Sequence, residues 1–205
     1  MEEDNIKVAV IVEGYGEIEA IPILIRRIAL DINPGFVPFV LYPIRIPFSK
    51  LIKEGEIERA LELAIGKLNR QGGIIVVADC DYDNGCPAKE GPELLIRAKK
   101  ICKKIPVSVI PAKKEFETWF IASAESLRGK RSVSEEIQSP ENPEDIRGAK
   151  EWLNKWLPDR IKYIETEHQP AFTAIFDMSS ARKKSNSFDK CYRDIYKILS
   201  DLLKS

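Results

Sequence analysis

Histidine is nearly missing from this chain: His168 stands alone among 205 residues. That rules out a Cys/His zinc array, since Cys80, Cys86, Cys102 and Cys191 follow no zinc-binding spacing either. The four cysteines read instead as reduced, mostly buried thiols. One histidine does not exclude a Ser-His-Asp enzyme, but no Gly-x-Ser-x-Gly elbow accompanies it. A Gly-x-x-x-x-Gly-Lys-Ser/Thr loop is absent too, which argues against ATP hydrolysis by this chain. Net charge is also absent: 32 Lys and Arg balance 32 Asp and Glu. No global field therefore draws the protein onto nucleic acid or a membrane, and any polyanion site must be a local patch. No apolar run is long enough to span a bilayer. The opening Met1-Glu2-Glu3-Asp4 lacks the basic stretch and apolar core of a secretion signal. The expectation is a cytoplasmic protein with no membrane partner.

What is present is a globular composition, 44% hydrophobic and 31% charged, in which strands and helices alternate. Ile6 to Val12 reads as a buried strand. Glu13-Gly14-Tyr15-Gly16-Glu17 turns it into a helix with Ile18, Ile21, Leu24, Ile25 and Ile28 on one face. Pro22 places that helix start near Glu17 or Glu19. Phe36 to Tyr42 reads as a second strand, late or at an edge because of Pro38; Pro43 to Lys53 reads as irregular. Glu54 to Asn69 is an amphipathic helix. Gly73 to Ala78 is a buried strand, Pro87 to Lys104 holds a further helix, and Ile105 to Pro111 a fourth strand. Such alternation predicts an α/β fold with a mostly parallel central sheet flanked by helices. Leu127 to Asp145 reads as a loop or linker. Beyond it, Ile146 to Leu157 is expected to be helical, with Trp152 and Trp156 in a core or interface. Short strands are expected at Ile161 to Ile164 and, with a helix start as the alternative, at Ala171 to Met178. Ser187 to Leu203 reads as a closing helix. The expected division is residues 1–126 and a C-terminal helical extension, 127–205, packed on it as two units or one.

Acids recur where the strands end. Glu13 and Glu17 follow the first strand, Asp79, Asp81 and Asp83 the third, and Glu115 and Glu117 the fourth. In a parallel sheet these ends share one edge, the edge where α/β proteins bind ligands. Crowded carboxylates repel unless a cation neutralises them, and hard cations such as Mg²⁺ and Mn²⁺ prefer carboxylate oxygen. These seven groups are sufficient for two ions about 4 Å apart, the spacing used in phosphoryl transfer.

Ile11-Val12-Glu13-Gly14 and Val77-Ala78-Asp79-Cys80-Asp81 resemble the two motifs of the Toprim fold. Those are a Glu-Gly after the first strand and an Asp-x-Asp after the third. The likeness is closer to the Toprim domains of OLD-type nucleases and to small stand-alone prokaryotic Toprim-like proteins. Glu17, four residues after Glu13, matches a second glutamate of the OLD pattern, and Glu115 or Glu117 its further metal ligand. The resemblance covers about Ile6 to Ile121. It implies Mg²⁺- or Mn²⁺-dependent cleavage of a nucleic-acid phosphodiester, of DNA rather than RNA, with Ca²⁺ as a non-productive occupant. Glu13, Asp79 and Asp81 would be catalytic. Glu17, Asp83, Glu115 and Glu117 would join them as metal ligands. Phosphate contacts are expected from Lys113, Lys114, Arg182, Lys184 and Ser185.

Other readings stay in play. A non-catalytic metal- and nucleic-acid-binding module of a defence or repair system, with a partner protein, fits the same residues. A haloacid-dehalogenase-type phosphatase also places Asp-x-Asp after a strand, though usually the first. Gly14-Tyr15-Gly16 fails as a dinucleotide fingerprint because Glu19 fills the third glycine position. Asp79, Asp81, Asp83 and Glu90 fall at calcium-loop positions 1, 3, 5 and 12, but the required glycine at position 6 is Asn84. His168 is a weak candidate for proton transfer.

Overall fold

Parallel pairing explains why three of the strands are apolar almost without interruption: both of their faces are covered. The structure, a computed structural model, describes residues 6–80 and 87–204. Strand β1 is Lys7–Val12, β2 Phe39–Val40, β3 Ile44–Arg45, β4 Gly73–Cys80 and β5 Val107–Lys113. The order is β2-β1-β4-β5, with β3 also pairing with β1, and every described pairing is parallel. The fold is therefore the expected α/β architecture, a parallel sheet flanked by helices and closed by a C-terminal helix.

Helix α1 is Glu17–Ile32, α2 Phe48–Leu51, α3 Glu56–Lys67 and α4 Pro87–Ile101. After β5 come α5 (Thr118–Ile121), α6 (Ala149–Asn154), α7 (Glu165–Thr173), α8 (Met178–Lys184) and α9 (Asn186–Lys204). None is long and apolar enough to cross a membrane, among the described residues.

Side chains alternate across each strand, and the alternation sorts two cores. Val8, Val10 and Val12 of β1, Ile75 and Val77 of β4, and Ile110 and Ala112 of β5 join α1 and elements α5 to α9 in one cluster. Ala9, Ile11, Ile74, Val76, Ala78 and Val109 join α2, α3 and α4 in the other. Residues on both sides of position 126 share the first cluster.

Four local expectations need correction. The second strand shrinks to Phe39–Val40 because Pro38 and Pro43 bracket it, and the segment read as irregular contributes β3. Ile161 to Ile164 is not a strand; it precedes α7, and the Tyr163 N–H is taken by Asn154 Oδ1 at 2.8 Å. Ala171 to Met178 falls across the end of α7 and the start of α8. The helix over Ile146 to Leu157 contracts to α6 because Gly148 takes a left-handed backbone (φ 67°) immediately before it. Trp152 and Trp156 do pack together, ring centroids 5.8 Å apart, against the first core.

Candidate functional site

The odd positions of β4 decide where the site faces. Ile75 and Val77 point into the first core, and Asp79 continues the same parity at the carboxyl end of the strand. Its carboxylate therefore meets the C-terminal elements rather than α3 and α4. Asp79 Oδ1 accepts the Phe116 N–H at 2.8 Å. Glu13, one residue past β1, reaches across so that its Oε2 accepts the Asp79 N–H at 3.0 Å. Glu17 opens α1 and folds back: its Oε2 accepts the N–H groups of Glu13 (2.9 Å) and Gly14 (3.0 Å). Backbone amides thus fix three carboxylates at the sheet edge, each through one oxygen.

The chain leaves β5 through Lys114, whose backbone is left-handed (φ 69°), an uncommon conformation for a residue with a side chain. Glu115 and Glu117 follow and diverge. Glu115 Oε1 accepts the Ala149 N–H at 2.8 Å and so caps α6. Glu117, fully buried, accepts Gln169 Nε2 at 2.7 Å and the Tyr163 hydroxyl at 3.0 Å, both on Oε1. Its Oε2 is buried with no hydrogen-bond partner.

Electrostatics binds these groups into one cluster. Burial is the main cause that raises Glu17 to a pKa of about 7, with repulsion from Glu13 and Glu117 adding to it and backbone hydrogen bonds opposing. Asp79 is raised well above the usual carboxylate range, first by burial, then by Glu17, Glu117 and Glu13. Asp79 keeps some exposed surface as a residue, but its carboxyl is enclosed. Glu117 is likewise raised, chiefly by burial. One cation answers them: Lys150 of α6 pairs with Glu165 at 2.5 Å and lies 3.8 Å from Glu115 Oε2. Burial alone would lower Lys150, but the Glu165 hydrogen bond and the charges of Glu117, Glu165 and Asp79 outweigh it and keep the ammonium charged.

The predicted acids are therefore partly assembled. Glu13, Glu17, Asp79 and Glu117 come together; Glu115 serves α6 at the margin. Asp81 and Asp83 lie outside the described residues, as does Cys86. The predicted phosphate contacts are engaged elsewhere. Lys113 pairs with Asp145 (3.3 Å), and Lys114 donates to the Asp145 carbonyl (2.7 Å). Arg182 pairs with Asp189 and stacks on Tyr192, Lys184 faces Glu125, and the buried Ser185 hydroxyl donates to Glu144. His168 is structural: its Nδ1 accepts the Ile164 N–H at 2.9 Å and its ring packs on Tyr163 and Phe172. Sequence reasoning missed Lys150, Tyr163 and Gln169. Only their lodging in a stretch of mixed composition marked them, and nothing in that stretch shows which side chains turn inward.

The cluster offers carboxylate oxygens, the donor type hard divalent cations take; three of its groups are raised by burial and mutual repulsion, and one oxygen is orphaned. Among the described residues no group of three or more His, Cys, Asp or Glu side chains is spaced to hold a metal ion.

Fold and cluster together define a parallel α/β protein with a buried acidic site at the carboxyl edge of its sheet. The chain belongs to the family described as "Domain of unknown function (DUF4276)", which matches residues 12–195 and so spans the whole cluster. No curated protein and no solved structure matches it.

Proposed function

We propose that this protein is a Toprim-like hydrolase of nucleic-acid phosphodiesters, of DNA rather than RNA, that works with Mg²⁺ or Mn²⁺. The observation that supports this most is the cluster of Glu13, Glu17, Asp79 and Glu117, enclosed at the sheet edge with one buried carboxylate oxygen left unpartnered. An ion there would supply a water of lowered pKa and charge for the leaving oxygen. Glu13 and Asp79 would hold it, with Asp81 as the third donor. The amides of Asp79 and Phe116 keep those two carboxylates oriented before any ligand arrives. Lys150, paired with Glu165, adds positive charge beside the acids.

Nicking of supercoiled plasmid tests the reading. The full chain should cut with Mg²⁺ or Mn²⁺ and not with EDTA, and Asp79→Asn should lose at least about 100-fold in rate. Cutting that persists in EDTA, or that Asp79→Asn retains, would sink it. A second reading has its own support: Lys150, 3.8 Å from Glu115 and paired with Glu165, already offsets part of the acidic charge. A binding module without turnover would then hold the ion and the plasmid but leave the plasmid intact.

A further inference from the structure

We propose that Tyr163 and Gln169 are positioning residues for Glu117, so that residues far along the chain complete the cation site at the sheet edge. This rests on the cation reading above.

Two donors converge on one carboxylate oxygen. Gln169 Nε2 and the Tyr163 hydroxyl both reach Glu117 Oε1, at 2.7 and 3.0 Å. Together they fix the carboxylate plane and leave Oε2 as the free donor atom. Other buried side-chain atoms also lack a partner, Gln169 Oε1 among them, but among the described residues Glu117 Oε2 is the one carboxylate oxygen that does. A buried polar atom without a partner is costly, more so when charged, and Glu117 Oε2 is such an atom. The arrangement makes sense if Oε2 is kept for a ligand. The charge of Glu117 is felt by both Asp79 and Glu17, which places it in their cluster. Carboxylates that bind metals are themselves held by hydrogen-bonded partners, and loss of such a partner weakens metal binding about 10–100-fold.

The clamp is braced on two sides. The Tyr163 ring packs on His168 and Phe172, centroids 5.0 and 6.1 Å away. On the other side Gly16 lets α7 approach the first turn. A Cβ there would sit 2.2 Å from Gln169 Oε1 and 2.6 Å from the Glu165 carbonyl oxygen. Gly16 has ordinary helical angles, so it is the missing side chain that matters, not the backbone freedom.

Mn²⁺ titration of the full chain, read by electron paramagnetic resonance of the free ion, tests the proposal. Tyr163→Phe and Gln169→Leu should each weaken Mn²⁺ binding about 10-fold or more. Glu117→Gln should weaken it as well, and adding Tyr163→Phe to it should change little more. That loss of additivity separates positioning from general damage. Tyr163→Phe removes a single oxygen atom and keeps the ring packing, so it carries the test if Gln169→Leu fails to fold. Wild-type affinity in Tyr163→Phe, or an undiminished Tyr163→Phe effect in the Glu117→Gln background, would overturn the inference while the cation reading stands. No Mn²⁺ binding by the unaltered chain would overturn both.

Discussion

The two faces of the sheet are built differently. One is covered by α3 and α4, crossover helices that lie between the strands they connect, and its core is aliphatic apart from Phe48 and Cys102. The other is covered by α1 from the start of the chain and α7 and α9 from far along it, and it is rich in aromatics. There Phe120 packs edge-on against Phe172 and Phe176, and Trp119 sits 5.3 Å from Phe188. The acidic cluster opens toward this second face, because the parity of β4 turns Asp79 that way. Stability is shared by both faces; candidate chemistry belongs to one.

Equal damage on the two faces should therefore have unequal consequences. Phe172→Ala is expected to cost about 3–5 kcal/mol and Leu61→Ala about 2–5 kcal/mol in urea unfolding; both side chains are fully buried. Only the first should also weaken Mn²⁺ binding, since Phe172 backs Tyr163 and shares α7 with Gln169. Equal loss of Mn²⁺ affinity from Leu61→Ala would break the contrast.

Glu17 sharpens it next. Its folded pKa of about 7 lies above the ordinary 4.5, so the folded state binds the proton more tightly than the unfolded state. Without cation, the stability linked to this proton is full below about pH 4.5 and is lost as pH rises to about 7. In EDTA, Glu17→Gln should be more stable than the unaltered chain at pH 8, by up to about 3 kcal/mol. That advantage should fade by pH 4.5. Thermal melts across this range check the sign, and a constant difference would refute it.

The smallest effect belongs to the aliphatic face. Arg97 grips Glu58 with two nitrogens at 2.7 Å and donates to the carbonyls of Ile52 and Lys53. Both side chains are about a quarter exposed. Arg97→Ala should cost about 1 kcal/mol and leave Mn²⁺ titration unchanged.

The sheet was readable from the sequence because buried parallel strands are written as apolar runs. Ile74 to Ala78 and Val8 to Val12 admit little else, and the acids after them mark the edge. The residues between Leu127 and α9 were harder to read. Their helices are short, Gly148 cuts one and Pro170 lies inside another, so the 3.6-residue period has little length in which to show. Lys150, Tyr163 and Gln169 carry no motif; Tyr163 and Gln169 meet Glu117 46 and 52 residues away along the chain, and Lys150 meets both Glu165 and the distant Glu115. The lysines and Ser185 show the opposite case, since the structure gives each an intramolecular partner. A motif-free basic residue beside an acidic edge reads as a phosphate contact, while its intramolecular partner, set by tertiary packing, is not written in the sequence.

The route of α9 has a consequence for synthesis. This helix lies against β4 and β5, and the Ile198 side chain would come within 2.6 Å of any Cβ on Gly73. A ribosome finishes the strands long before it releases residues 186–204. Until then the stretch of β4 and β5 that α9 covers stays bare.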